Sequence, residues 1–470
     1  MRRDRKTGSG ACNYDARKET GGAGTLSANT FGRTKGARVP PGDVPSKPGA
    51  PPESRGPLRP SNRSLRGLDW FVFFVANVQT GFGPFISVFL TAQRWTQVDI
   101  GLVLSATAFT SLVGQMPGGA LVDAVRSQRA AAGISIAAIC ASALAFAAMP
   151  IFPVVLSASV LHALASCVLG PAMVAISLGL VGHAAVGERL GRNARFASIG
   201  NGFAAAAMGA TGYLLSPRSV FVVTVLLLGP ALLALRFISP AEIDPERASG
   251  GARQDAAPAE SAQRPKRSRA GELMQSKPLL IFAGCMLLFH LANSAMLPLL
   301  GSVLTMRTAD WATVLIAACI VVPQLLVAAV SPWIGQRAQA WGRRPLLLAG
   351  FAALPLRGLL FAVITNPVLI VVVQLLDGVT AAVLAVMVPL VVADLTRGTG
   401  RFNLGQGILG TFVGIGASTS STLAGYLTDH FGSPWAFGGL SVIGFAGLVA
   451  VTLLMPETRS MEGSEECAST

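Results

Sequence analysis

The sequence predicts an all-α membrane protein. Twelve transmembrane helices form two six-helix bundles related by a pseudo-two-fold axis along the membrane normal, behind a disordered N-terminal tail. Three observations predict this class. Twelve apolar stretches of about 20 residues recur along the chain, the length a helix needs to cross the hydrocarbon core. Of the 470 residues, 51% are hydrophobic and only 13% charged, about half the charged share of an average soluble domain. Such a surface has to face lipid, which accepts only helices and closed barrels. A single polar stretch divides the twelve into six and six.

Taken in order, residues 1–66 carry 14 Lys and Arg against five acids and are rich in Gly, Pro and Ser. Few large apolar residues interrupt them, so they predict a disordered, basic, cytoplasmic tail. Much of the net charge of +14 sits there, which argues against a nucleic-acid-binding fold. The tail lacks an apolar core segment and does not read as a secretory signal. An N-terminal bundle over 69–238 holds spans at 69–90, 100–122, 129–149, 153–181, 196–215 and 219–238. A polar cytoplasmic linker over 239–276 follows, with Arg264, Lys266, Arg267 and Arg269. The C-terminal bundle over 277–456 holds spans at 278–304, 311–335, 343–363, 367–393, 404–427 and 434–455. Residues 457–470 form a second cytoplasmic tail. Cys140, Cys167, Cys285 and Cys319 fall inside spans and Cys12 and Cys467 in the tails. None forms a CxxC pair, and all six read as free thiols.

Orientation follows from Lys and Arg. The loops after even-numbered spans carry 14 of them, and the opposite loops only Arg94, Arg218 and Arg307. Both termini are therefore expected in the cytoplasm, with a bacterial inner membrane as the location. Trp70, Trp95, Trp311, Trp341 and Trp435 fall near span ends, where amphipathic rings prefer the interface.

The two halves repeat. Aligning Pro84 with Pro298 sets Gln79 against Asn293, Ser87 against Gly301 and Leu90 against Leu304, while Gly119 pairs with Gly335 at nearly the same offset. Spans 5 and 11 both follow a Gly-Arg pair (Gly191-Arg192 and Gly400-Arg401) and both end in Gly-Tyr-Leu. Glycines 200, 202, 209 and 212 in span 5 and 407, 410, 414 and 416 in span 11 permit close helix approach. Two similar six-helix halves place a binding site between them near the midplane.

These residues resemble the major facilitator superfamily over about 69–455. The family's loop signature after its second helix, roughly Gly-x-Leu-Ala-Asp-Arg-x-Gly-Arg-Arg, is matched by Gly119-Ala120-Leu121-Val122-Asp123, with Arg126 and Arg129 beyond. The second copy runs from Gly335 to Trp341-Gly342-Arg343-Arg344, with Gln339 at the acidic position. The resemblance implies a gating motif of Gly119, Asp123, Arg126, Gly335, Arg343 and Arg344. In the family the acid approaches the N-terminus of the eleventh helix, where the dipole is positive, and pairs with motif arginines, closing the cytoplasmic side. A solvated positive loop is the alternative for the first copy. For Gln339, which carries no charge to couple, the expectation is no gating role. The Gly-Pro pair that the family's drug/proton antiporters often carry in their fifth helix is absent here.

An ionisable group inside the membrane costs about 2.5–3.5 kcal/mol and suggests function. Arg357 in span 9 and Asp377 in span 10 lie on either side of the hairpin at Asn366. At about 1.5 Å per residue both sit roughly 14–17 Å deep, so they are placed to pair. Two readings stand: an ion pair that holds the hairpin, or a proton-coupling site. His162 falls within about a residue of Asp377 under the repeat offset, and His290 lies in span 7; each reads as a helix contact or as a proton relay. The family's helices 1, 4, 7 and 10 line its cavity. That implies a substrate cavity built from Asn77, Gln79, His162, His290 and Asn293, weakly polar and suited to amphipathic or neutral solutes.

The function expected from these readings is secondary active transport of a small organic solute by alternating access, proton-coupled and directed outward. Its partners would be that solute, protons and membrane lipids, without nucleic acid, and the chain would act as a monomer. An uptake symporter or uniporter of the same fold, and a membrane sensor without flux, are the alternatives. No Walker sequence, HExxH or GxSxG occurs, and His162, His183, His290 and His430 are scattered. No catalytic residue, metal or cofactor is therefore expected.

Overall fold

The computed structural model describes residues 60–80, 85–216, 218–251, 270–307 and 312–458. Most of the expected N-terminal tail, the middle of the linker, the last residues of the C-terminal tail, Pro84, Trp311, Cys12 and Cys467 lie outside the described residues. Among those described, all regular structure is helical. α1 (Asn62–Thr80) and α2 (Phe85–Ala92) cover span 1, α3 (Gln97–Ala124) span 2 and α4 (Gln128–Ala148) span 3. α5 (Phe152–Leu214) covers spans 4 and 5, and α6 (Ser219–Leu226) with α7 (Leu228–Arg236) covers span 6. A 3₁₀ turn (Pro240–Glu242), α8 (Pro245–Ala248) and α9 (Ala270–Met274) lie in the linker. The second half contains α10 (Lys277–Asn293) and α11 (Met296–Arg307) for span 7, then α12 (Ala312–Trp341) and α13 (Arg344–Val363). α14 (Pro367–Val373) and α15 (Leu375–Leu395) make span 10, and α16 (Phe402–Phe431) and α17 (Ser433–Leu454) complete the set.

Among the described residues, nine helices are long and apolar enough to cross a membrane, and one of them holds spans 4 and 5. Span 11 lies on α16, whose Gly, Ser and Thr residues lower its hydropathy, and span 1 on α1 and α2. The short hairpins are set by caps. Thr96 accepts from the Asp99 N–H, Ser127 from Ala130, and Asn366 from Val368 and Leu369, each satisfying donors that the first helical turn leaves orphaned. Proline opens α13, α14 and α17, where its missing N–H costs nothing.

Two expectations change. α1 begins at Asn62, earlier than the expected span. Its start is fastened by Glu242, whose carboxylate accepts from the Ser61 N–H at 2.9 Å and the Ser61 hydroxyl at 3.1 Å. Burial raises the Glu242 pKa, but the hydrogen bonds from Ser61 and Ser64 together outweigh it and hold the carboxyl below its usual range. This fastening is present above the unfolded carboxyl pKa and fades as pH falls through the lower folded value. The expected loop 182–195 is the second change: it is helix, broken only at Gly182, whose φ of 70° and ψ of 176° suit glycine alone. The reason lies in its pattern. Val186, Leu190 and Ala194 recur at every fourth residue and bury in the core of the second half, while Arg189 and Arg192 point to α1.

Each half has its own core. Phe89, Phe146 and Phe221 pack in the first half, with ring centroids 4.9 and 5.2 Å apart. In the second half Phe289 packs on Phe351 at 5.1 Å and Phe361 on Phe437 at 5.5 Å. Lipid tails are as apolar as these rings, so close van der Waals fit holds the helices together. Cys140, Cys167, Cys285 and Cys319 are buried free thiols. The halves meet along two seams, α3 against α16 and α5 against α12. The sequence repeat relates span 2 to span 8 and span 5 to span 11, so the seams are one contact made twice.

Candidate functional site: a cavity between the halves and the seams beneath it

At both seams, backbone touches backbone. A Cβ on Gly119 would overlap the Asn403 carbonyl, and one on Gly407 the Gln115 carbonyl; across the other seam, Gly335 and Gly191 stand in the same relation to the carbonyls of Gly187 and Ser331. Only glycine permits this approach. All four lie toward the face that carries most of the arginines, called the basic face below.

Asp123 closes α3 at that face and is 1% exposed. Its Oδ1 accepts from the Asn403 N–H at 3.2 Å and from Asn403 Nδ2 at 2.8 Å, and its Oδ2 accepts from the Leu404 N–H at 2.8 Å. A carboxylate thus sits on the first turn of α16, where free N–H groups and the helix dipole favour negative charge. The expected motif arginines are placed differently. Arg126 is exposed, and neither it nor Arg129 makes an ion pair among the described residues.

In the second copy Arg343 is buried and bonds Asp394 at 2.8 Å, the Ala338 carbonyl at 2.7 Å and Gln339 at 3.2 Å. The Arg343 and Arg344 N–H groups donate to the carboxylate of Glu457 at 2.8 and 3.0 Å, and the Arg344 side chain donates to the Thr452 carbonyl. Gln339, expected to be idle, donates to the Ala184 carbonyl at 3.0 Å and so ties α12 to α5.

The linker roofs the first seam. The Asp244 N–H donates to the Gly179 carbonyl of α5 at 3.1 Å, and the Ser249 and Gly250 carbonyls accept from Phe402 and Gly398 at 3.0 and 2.7 Å. Asn403 Nδ2 also donates to the Ala248 carbonyl at 3.2 Å. Gly250, at φ 77°, turns against Phe402 where a side chain would collide.

One turn from these seams, away from the basic face, the halves part around a cavity of about 580 Å³. The first half contributes Gln115, Gly170, Pro171, Met173 and Val174; the second contributes Phe289, His290, Asn293, Asp377, Thr380 and Gln406 among others. Arg357 lies behind this wall. It donates to Asp377 and to the side-chain oxygen Oδ1 of Asn293, and contacts the Met296 sulfur at 3.3 Å. Arg357 is 3% exposed and Asp377 27%, so the carboxylate faces the cavity and the guanidinium does not. The triad stands where two helices break: Asn293 ends α10, and Asp377 lies in the first turn of α15. At the first break the Ala295 N–H donates to the Ser420 hydroxyl at 3.0 Å instead of continuing a helical ladder. The side-chain nitrogen of Gln406 is buried without a hydrogen-bond partner among the described residues, which leaves a donor in the wall for a ligand.

Of the expected cavity residues, His290 and Asn293 line this space, and Asn77, Gln79 and His162 do not. Asn77 is buried, bonds the Phe73 carbonyl at 2.9 Å and packs on Gly200. Gln79 meets Ser166 at 3.3 Å. Both sit on α1, which contributes no residue to the cavity wall among the described residues. Unforeseen from the sequence is a buried network at the basic end of α1. Asp69 accepts from Arg189 and from Arg192 at 2.6 Å, and Asn193 links Arg189 to Ser177 at 2.8 Å. A carboxylate in the predicted first span, with two arginines and an asparagine in the predicted loop, was the available signal.

Fold and site can be set beside known proteins. Two uncharacterised MFS-type transporters of Mycobacterium tuberculosis strains are each 40% identical over 400 residues, covering 84% of this chain and 94% of theirs. The crystal structure of the human organic anion transporter MFSD10 (TETRAN) aligns with a TM-score of 0.62 at 14% identity, over 83% of this chain and 99% of that one. FucP, an MFS transporter solved in the outward conformation, aligns with a TM-score of 0.60 at 16% identity, over 83% and 97%. These two show likeness of fold. The family model of the Major Facilitator Superfamily matches residues 69–354 and 285–466. With two repeated halves, paired seams and a cavity between them, this multi-pass membrane protein belongs to the Major Facilitator Superfamily, a family of transporters for small molecules.

Proposed function

We propose that the chain is a proton-coupled secondary transporter of the bacterial inner membrane that exports a small organic solute by alternating access. The observation that carries this reading is the shared cavity, with Asp377 facing into it and both seams closed on its basic side. The positive-inside bias assigns the basic face, and both termini, to the cytoplasm. The arrangement then corresponds to a cytoplasm-closed state, and the solved FucP in its outward conformation shares the fold. Gly119, Asp123, Gly335, Arg343 and Arg344 act as the gate, Asp377 and Arg357 as the coupling pair. A wall of Met173, Met286 and Phe289 with His290, Asn293, Gln115 and Gln406 suits an amphipathic solute with hydrogen-bonding groups. Direction follows from economy of charge. If solute and proton compete for one carboxylate in one cavity, they exchange, and exchange against an inward proton gradient is export.

The test is a ligand-stabilisation screen of the purified chain, followed by flux of each hit in proteoliposomes with an imposed pH gradient. A solute that raises the melting temperature and leaves the acidic compartment's opposite side as protons enter supports antiport. Co-movement of solute and proton identifies a symporter. Flux indifferent to pH identifies a uniporter, and binding without flux a sensor. Deleting residues 1–59, which keeps Ser61 and its bond to Glu242, is expected to leave membrane insertion and flux nearly intact. Loss of insertion would show that α1 is not its own targeting signal.

A further inference from the structure

A second hollow, of about 470 Å³, opens on the basic face between the start of α1 and the stretch of α5 beyond Gly182. Arg66 and Arg192 stand at its rim and Arg189 in its floor, while Leu65, Val181 and Ala185 give it an apolar wall. The transport reading uses none of them. Asp69, 2% exposed, is fully engaged by Arg189 and Arg192. Arg189 also bonds Asn193 and the Leu65 carbonyl, so its charge is anchored in place. The guanidinium of Arg66 is different: it is exposed and makes no ion pair among the described residues. Arg192 turns Nε and one terminal nitrogen to Asp69, and its side chain stays 53% exposed. Glu188 is the acid at the rim, so three arginines face two carboxylates and the hollow stays positive. Trp70, one helical turn from Arg66, is 52% exposed, which puts the opening at the depth where indoles collect and lipid phosphates begin.

Two guanidinium forks above an apolar wall match a phosphate ester carrying a hydrocarbon tail. The phosphate oxygens accept paired N–H bonds, and the first methylenes cover Leu65, Val181 and Ala185. The geometry points to a phosphate site on the basic face of the N-terminal bundle, occupied by the headgroup of an anionic phospholipid. A bound headgroup joins α1 to the part of α5 that carries Gly187 and Gly191. The lipid therefore braces one partner of a seam.

The test titrates the purified full-length chain with short-chain phosphatidylglycerol, short-chain phosphatidylcholine and inorganic phosphate, read by native mass spectrometry and melting temperature. Phosphatidylglycerol is expected to be retained and to raise the melting temperature, and phosphatidylcholine to do neither. Arg66→Gln, at an exposed and unpaired position, should weaken phosphatidylglycerol binding by about tenfold. Glu188→Gln, which removes the acid at the rim, should tighten it, and Arg337→Gln, on another helix of the same face, should change nothing. Equal protection by inorganic phosphate would overturn the lipid as occupant and leave a free-phosphate site. Wild-type affinity in both Arg66→Gln and Glu188→Gln would overturn the site itself.

Discussion

Asp377→Asn is expected to abolish solute accumulation driven by a pH gradient while leaving solute exchange, or solute binding, measurable. The carboxylate faces the cavity and holds the guanidinium of Arg357 from behind. A proton added to Asp377 neutralises the acid and weakens its hold on Arg357; a proton released restores the pair. Because Arg357 also grips Asn293 at the end of α10, that change reaches both helix breaks in the second half. A protonation event can thus bias the bending of α10–α11 and α14–α15, which is what coupling requires. Asparagine keeps the shape and one acceptor but cannot cycle a proton. Arg357 then remains buried with neutral partners, and breaking a buried pair costs about 3–5 kcal/mol, so the melting temperature should fall as well. Asp377→Glu retains a titratable acid and should retain coupling with a displaced pH profile, which separates lost chemistry from lost stability. Arg357→Ala removes the cation that Asp377 holds and should slow pH-driven accumulation as well. If Asp377→Asn still concentrates solute against a gradient with the normal pH dependence, the pair is structural, and His290 on the same wall becomes the group to examine.

The helical spans were legible because the hydrocarbon core imposes one length on every helix, and the described residues of the predicted spans fall mainly on helix. The Arg357–Asp377 pair was legible for a related reason: depth counted from a short hairpin is a reliable ruler, since rise per residue is fixed. Which side of a helix faces water was not legible. A span that is apolar all round has no amphipathic face to read, and so the sequence could not show that Asn77 and Gln79 bond to Phe73 and Ser166 on a helix that contributes nothing to the cavity wall among the described residues. The stretch 182–195 misled through its charges. Arg189, Arg192 and Asn193 read as a solvated loop, whereas the stripe of Val186, Leu190 and Ala194 makes the stretch a buried helix through packing partners in the other half. Asp69 lay at the edge of a predicted span, where an acid looks like an ordinary end, and its partners are about 120 residues away in sequence. Glu457, Asp394 and Asn403 were missed on the same ground: their roles come from tertiary neighbours, not from local pattern.

Asp123→Asn is expected to open the basic face. In the closed arrangement this one carboxylate accepts three hydrogen bonds at the start of α16 and lies 1% exposed under the linker segment Asp244–Gly250. Asparagine offers a single acceptor oxygen and turns an NH₂ group toward N–H donors, so at least one donor is left unsatisfied in a buried site. Losing charge-assisted bonds of this kind costs about 1.5–3 kcal/mol, which shifts the ratio of closed to open states by about ten- to a hundredfold. Transport should fall, since one half of the cycle becomes too favourable, while insertion is unaffected. Gln339→Leu removes the neutral bond to Ala184 across the opposite seam, about 0.5–1.5 kcal/mol, together with one acceptor of Arg343 within its own half, and should produce the same change in smaller measure. Ser331→Cys in a background without other cysteines supplies the readout: the residue is fully buried beside Gly191, and the substitution exchanges only oxygen for sulfur. Because Ser331 lies in the seam that Asp123 does not touch, its labelling by a maleimide also reports whether the two seams part together. A rise in labelling with Asp123→Asn, reversed by bound solute that favours the closed state, is the expected result. Labelling unchanged from the parent would show that the Asp123–Asn403 contact serves folding alone and that the basic face is held shut elsewhere.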